Sequence, residues 1–263
     1  MSLQGYWADQ PSRMLKGAPA DLIAVLPLGA TEQHGPHLPC SVDTDLVTAF
    51  VSRALAALKP AQNVLFLPVL SVTKSGEHDA FPGTLSLSAD TLLAVLRDIG
   101  ASVARAGVTR LVLLNAHGGN TALLEVVARD LRIAHDLIVV TCSWFGFLEY
   151  GADFDPAKLP FDIHAGDTET SAMLAAYPGK VDMTRARDFV PKTADWARDN
   201  RFIGLTGQAA RPAWVAGDLH AEGACGDASA ATAEKGELLL SSGALAFAAF
   251  LAEFAAFDGR GEA

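Results

Sequence analysis

Apolar positions along the chain follow two alternating rhythms. Short, nearly continuous apolar runs occur at Asp21–Leu28 (DLIAVLPL, closing on Gly29), Val64–Val69, Arg110–Leu114 and Leu137–Cys142; each predicts a strand, and the first a buried parallel one. Between them the apolar residues recur at helical spacing. Leu46, Val47, Phe50, Val51 and Leu55 share one stripe within Asp43–Leu58. Ser88 predicts an N-cap for a helix running to about Ala106, and Thr121–Ala134 reads as another helix. Thr168–Ala176 predicts a further helix stopped by Pro178 and Gly179, and about Ala228 to Phe254 a last one rich in Ala and Leu. From Met183 to about Gly226 the pattern dissolves into a long polar stretch with scattered aromatics. Such alternation predicts an α/β fold, three-layer α/β/α, with a mostly parallel central sheet. No internal repeat or flexible linker divides the chain, so residues 1–263 are expected to form a single domain. In open α/β sheets ligands gather beyond the carboxyl ends of the strands, which is where chemistry is to be sought.

Composition narrows the partners. The chain has 263 residues, half of them hydrophobic and 19% charged, which argues against disorder and against a coiled coil. Its 20 Lys and Arg stand against 30 Asp and Glu, a net charge of −10 that repels a phosphate backbone, so nucleic acid is not an expected partner. Cys40, Cys142 and Cys225 are too dispersed for a CxxC site or a disulfide framework. The N-terminal residues lack the basic and apolar regions of a signal peptide. The longest apolar stretch, Leu238 to Leu251, is broken by Ser241, Ser242 and Gly243 and falls short of the ~20 residues that span a bilayer. A cytoplasmic protein with no membrane partner is expected.

The histidines are grouped. Glu32-Gln33-His34-Gly35-Pro36-His37 follows the first predicted strand, Asn115-Ala116-His117-Gly118-Gly119-Asn120 the third, and His164-Ala165-Gly166-Asp167-Thr168-Glu169 the fourth after a longer loop. His78 lies in Ser75-Gly76-Glu77-His78. Glu32 and His34, two apart in an extended segment, point the same way, and Asp43 follows a loop able to fold back on the strand end. Imidazoles with carboxylates suit Zn²⁺, Mn²⁺ or Fe²⁺. His34 and His117 with Glu32, Asp43 and Glu169 exceed the needs of one tetrahedral ion and suit two, bridged by a carboxylate. Competing readings remain: Asp43 as a helix cap, Asp45 as cap or ligand, Glu169 as an ordinary first-turn acid, and Gly118 and Gly119 as turn residues. Cys40 and His37 offer a thiol–imidazole alternative. HExxH, GxSxG, Walker A and strand-linked GxGxxG patterns are missing from the sequence.

The segments LPLGATEQHGPHLPCSVD (26–43), SGEHDAFPGTLSL (75–87), LNAHGGN (114–120), HAGDTETSAML (164–174) and EGACGDASAATAEKG (222–236) closely resemble the creatininase (creatinine amidohydrolase) family, in order and over most of the chain. The resemblance implies an α/β fold with a parallel sheet, two divalent metal ions per subunit, hydrolysis of C–N bonds in amides and cyclic amides, and assembly as a homo-oligomer, often a hexamer. It makes Glu32, His34, Asp43 and His117 metal ligands with Asp43 bridging, and His164 the residue that shuttles a proton. The type enzyme carries a ligand glutamate where this chain has Gly119; Glu169 is expected to replace it. Ser75 matches a substrate-contacting serine, and backbone N–H groups near Gly118 and Gly119 are expected to face the substrate oxygen. Glu77 and His78 stand between a supporting and a purely structural role.

Two departures bear on substrate. Gly118 replaces a tyrosine of the type enzyme, and Pro160-Phe161-Asp162 stands where it has a Trp-Asp pair, so a ring-stacking pocket for creatinine is not expected. The family also includes formamidopyrimidine deformylases and a peptidase of mycofactocin maturation. The expected substrate is a small-molecule amide, cyclic amide or formamide; a metallopeptidase and a non-catalytic metal-binding assembly protein are the alternatives. The polar stretch 183–220, with Trp196, Phe202 and Trp214, is expected to cover the substrate or contact another subunit.

Overall fold

A computed structural model describes residues 2–259. Its elements run β1 (Gln4–Tyr6), α1 (Ser12–Leu15), β2 (Ile23–Leu28), α2 (Val42–Ala57), β3 (Val64–Phe66), α3 (Ala89–Arg105), β4 (Arg110–Asn115), α4 (Thr121–His135), β5 (Ile138–Ser143), α5 (Asp167–Ala176), β6 (Asp188–Phe189), α6 (Thr193–Asp199), α7 (Ala216–Leu219), β7 (Gly226–Asp227) and α8 (Ala233–Ala256). Five strands form one parallel sheet in the order β1-β3-β2-β4-β5. β2 sits at its centre, with Ile23 opposite Val64 on one side and Arg110 on the other. The chain steps outward from β2 to β3, then crosses back to place β4 on the far side of β2. The carboxyl ends of β2 and β4 therefore flank the point where the winding reverses, the usual crevice for a ligand in such sheets.

Alternation along the strands builds two cores. Ile23, Val25, Val112 and Leu114 face one way, into a layer made by α2, α5 and α8 with Phe50 and Phe247 at its centre. Ala24, Leu26, Leu111 and Leu113 face the other way, against Leu92 and Leu96 of α3 and Leu124 and Leu131 of α4. This is the period-two geometry of a strand covered on both faces, and it explains why β2 and β4 read as unbroken apolar runs. Ser88 caps α3 as its sequence position predicts, its Oγ accepting from Thr91 N–H at 3.2 Å.

The structure adds elements that the apolar pattern did not announce. β1 is three residues long and pairs with β3 at the sheet edge, too short to show a period. β3 ends at Phe66, before Pro68, although the apolar run continues to Val69. The polar stretch 183–226 contains α6, α7 and the antiparallel pair of β6 with β7. α8 has 24 residues and a hydropathy that would fit a bilayer, longer than its central apolar stretch suggested. Its face of Leu239, Leu240, Phe247, Leu251 and Phe254 is buried against α5 and α2. α8 comes so close to α5 that a Cβ on Gly236 would lie 1.9 Å from the Ser171 carbonyl oxygen.

Candidate metal centre

Three loops deliver the clustered side chains. Glu32 and His34 lie in the turn after β2, Asp43 in the first turn of α2, His117 directly after β4, and Glu169 in the first turn of α5. All five are buried. The first turns of α2 and α5 favour carboxylates there, because unpaired N–H groups and the helix dipole stabilise negative charge.

These side chains converge as two triads sharing Asp43. Ligand atoms of Glu32, Asp43 and His117 all lie within 4.8 Å of one another, and so do those of His34, Asp43 and Glu169. His117 Nδ1 is 3.2 Å from Glu32 Oε1 and 3.6 Å from Asp43 Oδ2. His34 Nε2 is 3.5 Å from Asp43 Oδ1 and 3.8 Å from Glu169 Oε2. Glu32 Oε2, His34 Nε2 and Asp43 Oδ2 are buried without a hydrogen-bond partner. Leaving such atoms unpaired costs about 1–3 kcal/mol each, and more when charged, unless a cation satisfies them. The residues present fit a divalent metal.

Surrounding bonds aim the imidazoles. His34 Nδ1–H donates to the Glu32 carbonyl oxygen at 3.0 Å, which leaves the Nε2 lone pair facing Asp43 and Glu169. His117 Nε2–H donates to the Lys74 carbonyl oxygen at 2.8 Å, which leaves Nδ1 facing Glu32 and Asp43. The His117 turn is clasped by Asn115, whose amide donates to the His117 carbonyl oxygen at 2.6 Å, and by Asn120, which donates to Asn115 Oδ1 at 3.2 Å. Glu169 Oε2 accepts from Ala165 N–H at 2.6 Å. Ala165 holds a left-handed φ of 57°, a conformation costing an alanine roughly 1–2 kcal/mol, and thereby turns the chain between His164 and α5.

Charge follows the geometry. Burial pushes the His34 pKa down, but the carboxylates of Asp43, Glu169 and Glu32 outweigh it and raise the imidazole to about 9. His117 is likewise raised, against burial, by Glu32, Glu77 and Asp43. Glu32 is held below the usual carboxylate range by His117, His164 and His78 despite its burial. Burial lifts Glu169 to about 7.

Of the remaining expected residues, His164 packs on His34 with ring centroids 4.1 Å apart, and its Nδ1 lies 3.7 Å from Glu32 Oε1. Its Nε2–H donates to the Gln33 carbonyl oxygen at 2.7 Å. It also forms a third close group with Glu32 and His34. Ser75 Oγ is buried, 3.4 Å from His117 Nε2. Gly118 is exposed with open space around its Cα, whereas Gly119 has none: a Cβ there would lie 1.9 Å from Glu77 Oε1. Asp45 faces away, accepting from Ser41 Oγ at 2.6 Å and pairing with Lys180 at 2.7 Å, so of its two readings the ligand one lapses. His37 is taken up by Thr170 Oγ1 at 2.9 Å and by stacking on Phe189, and Cys40 Sγ lies beside Gly83.

The sequence did not single out Gln33. Its amide donates to His78 Nδ1 at 2.8 Å and to the Gly223 carbonyl oxygen at 3.1 Å, tying the site to the end of the long loop. Its residue type gave no signal, and only its place between Glu32 and His34 set it apart.

The model of the family described as creatinine amidohydrolase matches residues 12–251. The chain belongs to the creatininase family. Creatinine amidohydrolase of Pseudomonas putida is 37% identical to it over 208 residues, 71% of this chain and 75% of that one. The mycofactocin precursor peptide peptidase of Mycobacterium tuberculosis (strain H37Rv) is 33% identical over 227 residues, 83% of this chain and 80% of its own. A solved creatininase variant of Zn–Zn type superposes with a TM-score of 0.72 at 30% identity, covering 94% of this chain and 97% of the other. As a member of the creatininase family the protein is a metal-dependent amidohydrolase, and divalent ions are its cofactor.

Proposed function

We propose that this chain is a dinuclear hydrolase that cleaves a non-peptide C–N bond in a small-molecule amide, cyclic amide or formamide. The observation that carries the proposal is the pair of triads sharing Asp43, with three orphaned polar atoms between them. Glu32, Asp43 and His117 would hold one ion and His34, Asp43 and Glu169 the other. Their nitrogen and oxygen donors suit Zn²⁺, Mn²⁺ or Fe²⁺. When bound, the two ions would lower the pKa of water and polarise the amide carbonyl.

The protein's own groups do the rest. His164 keeps its Nδ1 lone pair free because Nε2–H is committed to Gln33. Burial, together with nearby His34 and His78, holds its pKa well below the usual imidazole value, so it rests neutral, and a proton passed to Nδ1 from the attacking water would be released readily to the departing nitrogen. Ser75 lies at the His117 edge of the site, and Gly118, open where Gly119 is filled by Glu77, would offer its backbone to a substrate oxygen there. The whole chain is read as one cytoplasmic domain working as a homo-oligomer, a hexamer as in the family resemblance.

Peptide cleavage is the second reading, favoured by the 33% identity to a peptidase over 83% of the chain. A hydrolysis screen of cyclic amides, formamides and short peptides, each with Mn²⁺, Zn²⁺ and Fe²⁺, separates the two. Turnover confined to peptides would replace the first reading by the second. A preparation that holds one ion or none after reconstitution would sink the dinuclear assignment.

A further inference from the structure

Glu77 stands on the side of His117 away from the shared carboxylate. His117 turns Nδ1 toward Glu32 and Asp43, while Nε2 meets the Lys74 carbonyl oxygen at 2.8 Å, Ser75 Oγ at 3.4 Å and Glu77 Oε1 at 3.5 Å. The other oxygen of Glu77, Oε2, pairs with Lys74 Nζ at 2.7 Å. Residue 74 thus serves twice: its carbonyl takes the imidazole proton, and its ammonium holds the carboxylate that lies beside the same nitrogen.

An incidental ion pair at the protein surface would need no room cleared for it. Here the main chain clears room. A Cβ at position 119 would lie 1.9 Å from Glu77 Oε1 and 2.4 Å from His117 Nε2, so a glycine at 119 is what lets the carboxylate reach the ring. Gly118, its neighbour, meets nothing within 4 Å, so the crowding is specific to the side where Glu77 lies. The Glu77 side chain is only 12% exposed, although its partner Lys74 is 33% exposed. The same short turn also presents His78, whose Nε2 lies 3.5 Å from Glu32 Oε1.

We propose that Glu77 is a positioning residue for the metal centre, a carboxylate lodged against Gly119 that orients His117 from behind and strengthens Nδ1 as a donor. A negative charge beside the protonated nitrogen of an imidazole raises electron density at the opposite nitrogen and fixes the ring plane. Lys74 anchors the carboxylate from the solvent side. The proposal rests on the reading that His117 binds a metal.

The test compares purified wild type with Glu77→Gln, Glu77→Asp and Lys74→Met by Zn²⁺ affinity against a competing chelator, by thermal unfolding, and by kcat and KM at saturating metal. Loss of such a supporting carboxylate typically weakens metal binding by about 10–100-fold. Glu77→Gln is expected to show that loss, to lower kcat with little change in KM, and to be partly rescued in Glu77→Asp. Lys74→Met keeps the carboxylate and the main-chain acceptor, and is expected to bind Zn²⁺ within about threefold of wild type, well short of that roughly 10–100-fold loss. Glu77→Gln with wild-type Zn²⁺ affinity overturns the inference, even if its melting temperature falls. Lys74→Met losing as much affinity as Glu77→Gln overturns it too, since the pair and not the carboxylate would then matter. A wild type that binds Zn²⁺ but hydrolyses none of the amides overturns the proposed function alone. A wild type that binds no metal overturns both.

Discussion

His34 Nε2 lies 3.5 Å from Asp43 Oδ1, beyond the 2.7–3.2 Å of a good hydrogen bond and close enough for both atoms to ligate one cation. With a proton the pair is an ion pair; with a metal that proton must leave. The two states compete for the same atoms.

Metal binding should therefore be proton-linked, with a sign that the shifts fix. His34 is raised to about 9 and Glu169 to about 7, so at pH 7 the metal-stripped site still holds protons that a cation must displace. Stability from the raised His34 is fully present below its unfolded value of about 6.5 and is lost as pH rises through about 9. His117 is shifted in the same direction. Between pH 6.5 and 9 the contribution of these groups to the chelated protein's melting temperature should fall, while the increment from added Zn²⁺ grows. Melting curves with chelator and with metal across that range check this, and a metal increment independent of pH would refute it.

Of the two triads that share Asp43, Glu32 and His117 enter one and His34 and Glu169 the other. Asp43→Ala should lose both ions, whereas His117→Ala should lose the ion beside Glu32 and Glu169→Gln the one beside His34. Elemental analysis after reconstitution reads the stoichiometry directly. Two ions retained by Asp43→Ala would rule out the bridge.

His164→Ala should keep its metal and lose turnover by about 10²–10⁴-fold, the usual worth of a positioned general acid. His164 also lies within ligand distance of Glu32 and His34, so the metal content of the variant decides between two roles. Metal lost along with turnover would make it a ligand instead.

What was readable in the sequence and what was not divides along physical lines. Strands such as Ile23–Leu28 and Arg110–Asn115 are covered on both faces, which leaves an uninterrupted apolar run in the sequence. His34, His117 and Glu169 were noticeable because each follows a strand or opens a helix, where the fold must present side chains to the crevice. Glu77 was ambiguous because its contact with His117 depends on space left by Gly119, a distance across two loops that no spacing rule encodes. Lys74 and Gln33 act through a main-chain carbonyl and an amide, groups that leave no pattern in a chain read by residue type. The three-residue β1 and two-residue β6 and β7 are too short for any period to register.

The contact between α5 and α8 links the core to the metal centre. A Cβ on Gly236 would meet the Ser171 carbonyl oxygen at 1.9 Å and Ala172 N at 2.9 Å, and these are backbone atoms that cannot rotate away. Gly236→Ala must therefore separate the helices, and overpacking of this kind costs about 1–3 kcal/mol. α5 carries Glu169 in its first turn, so the displacement should also weaken the ion beside His34 more than the one beside His117. Gly146→Ala is the control: a Cβ there meets nothing within 4 Å, and its stability should stay within about 0.5 kcal/mol of wild type. Denaturant unfolding with chelator present, followed by Zn²⁺ titration, measures both effects. A Gly236→Ala protein as stable as the control would mean that the helices can part without cost; a destabilised one with both ions bound as in wild type would mean that Glu169 is held by Ala165 N–H and the turn before α5, independently of the helix pair.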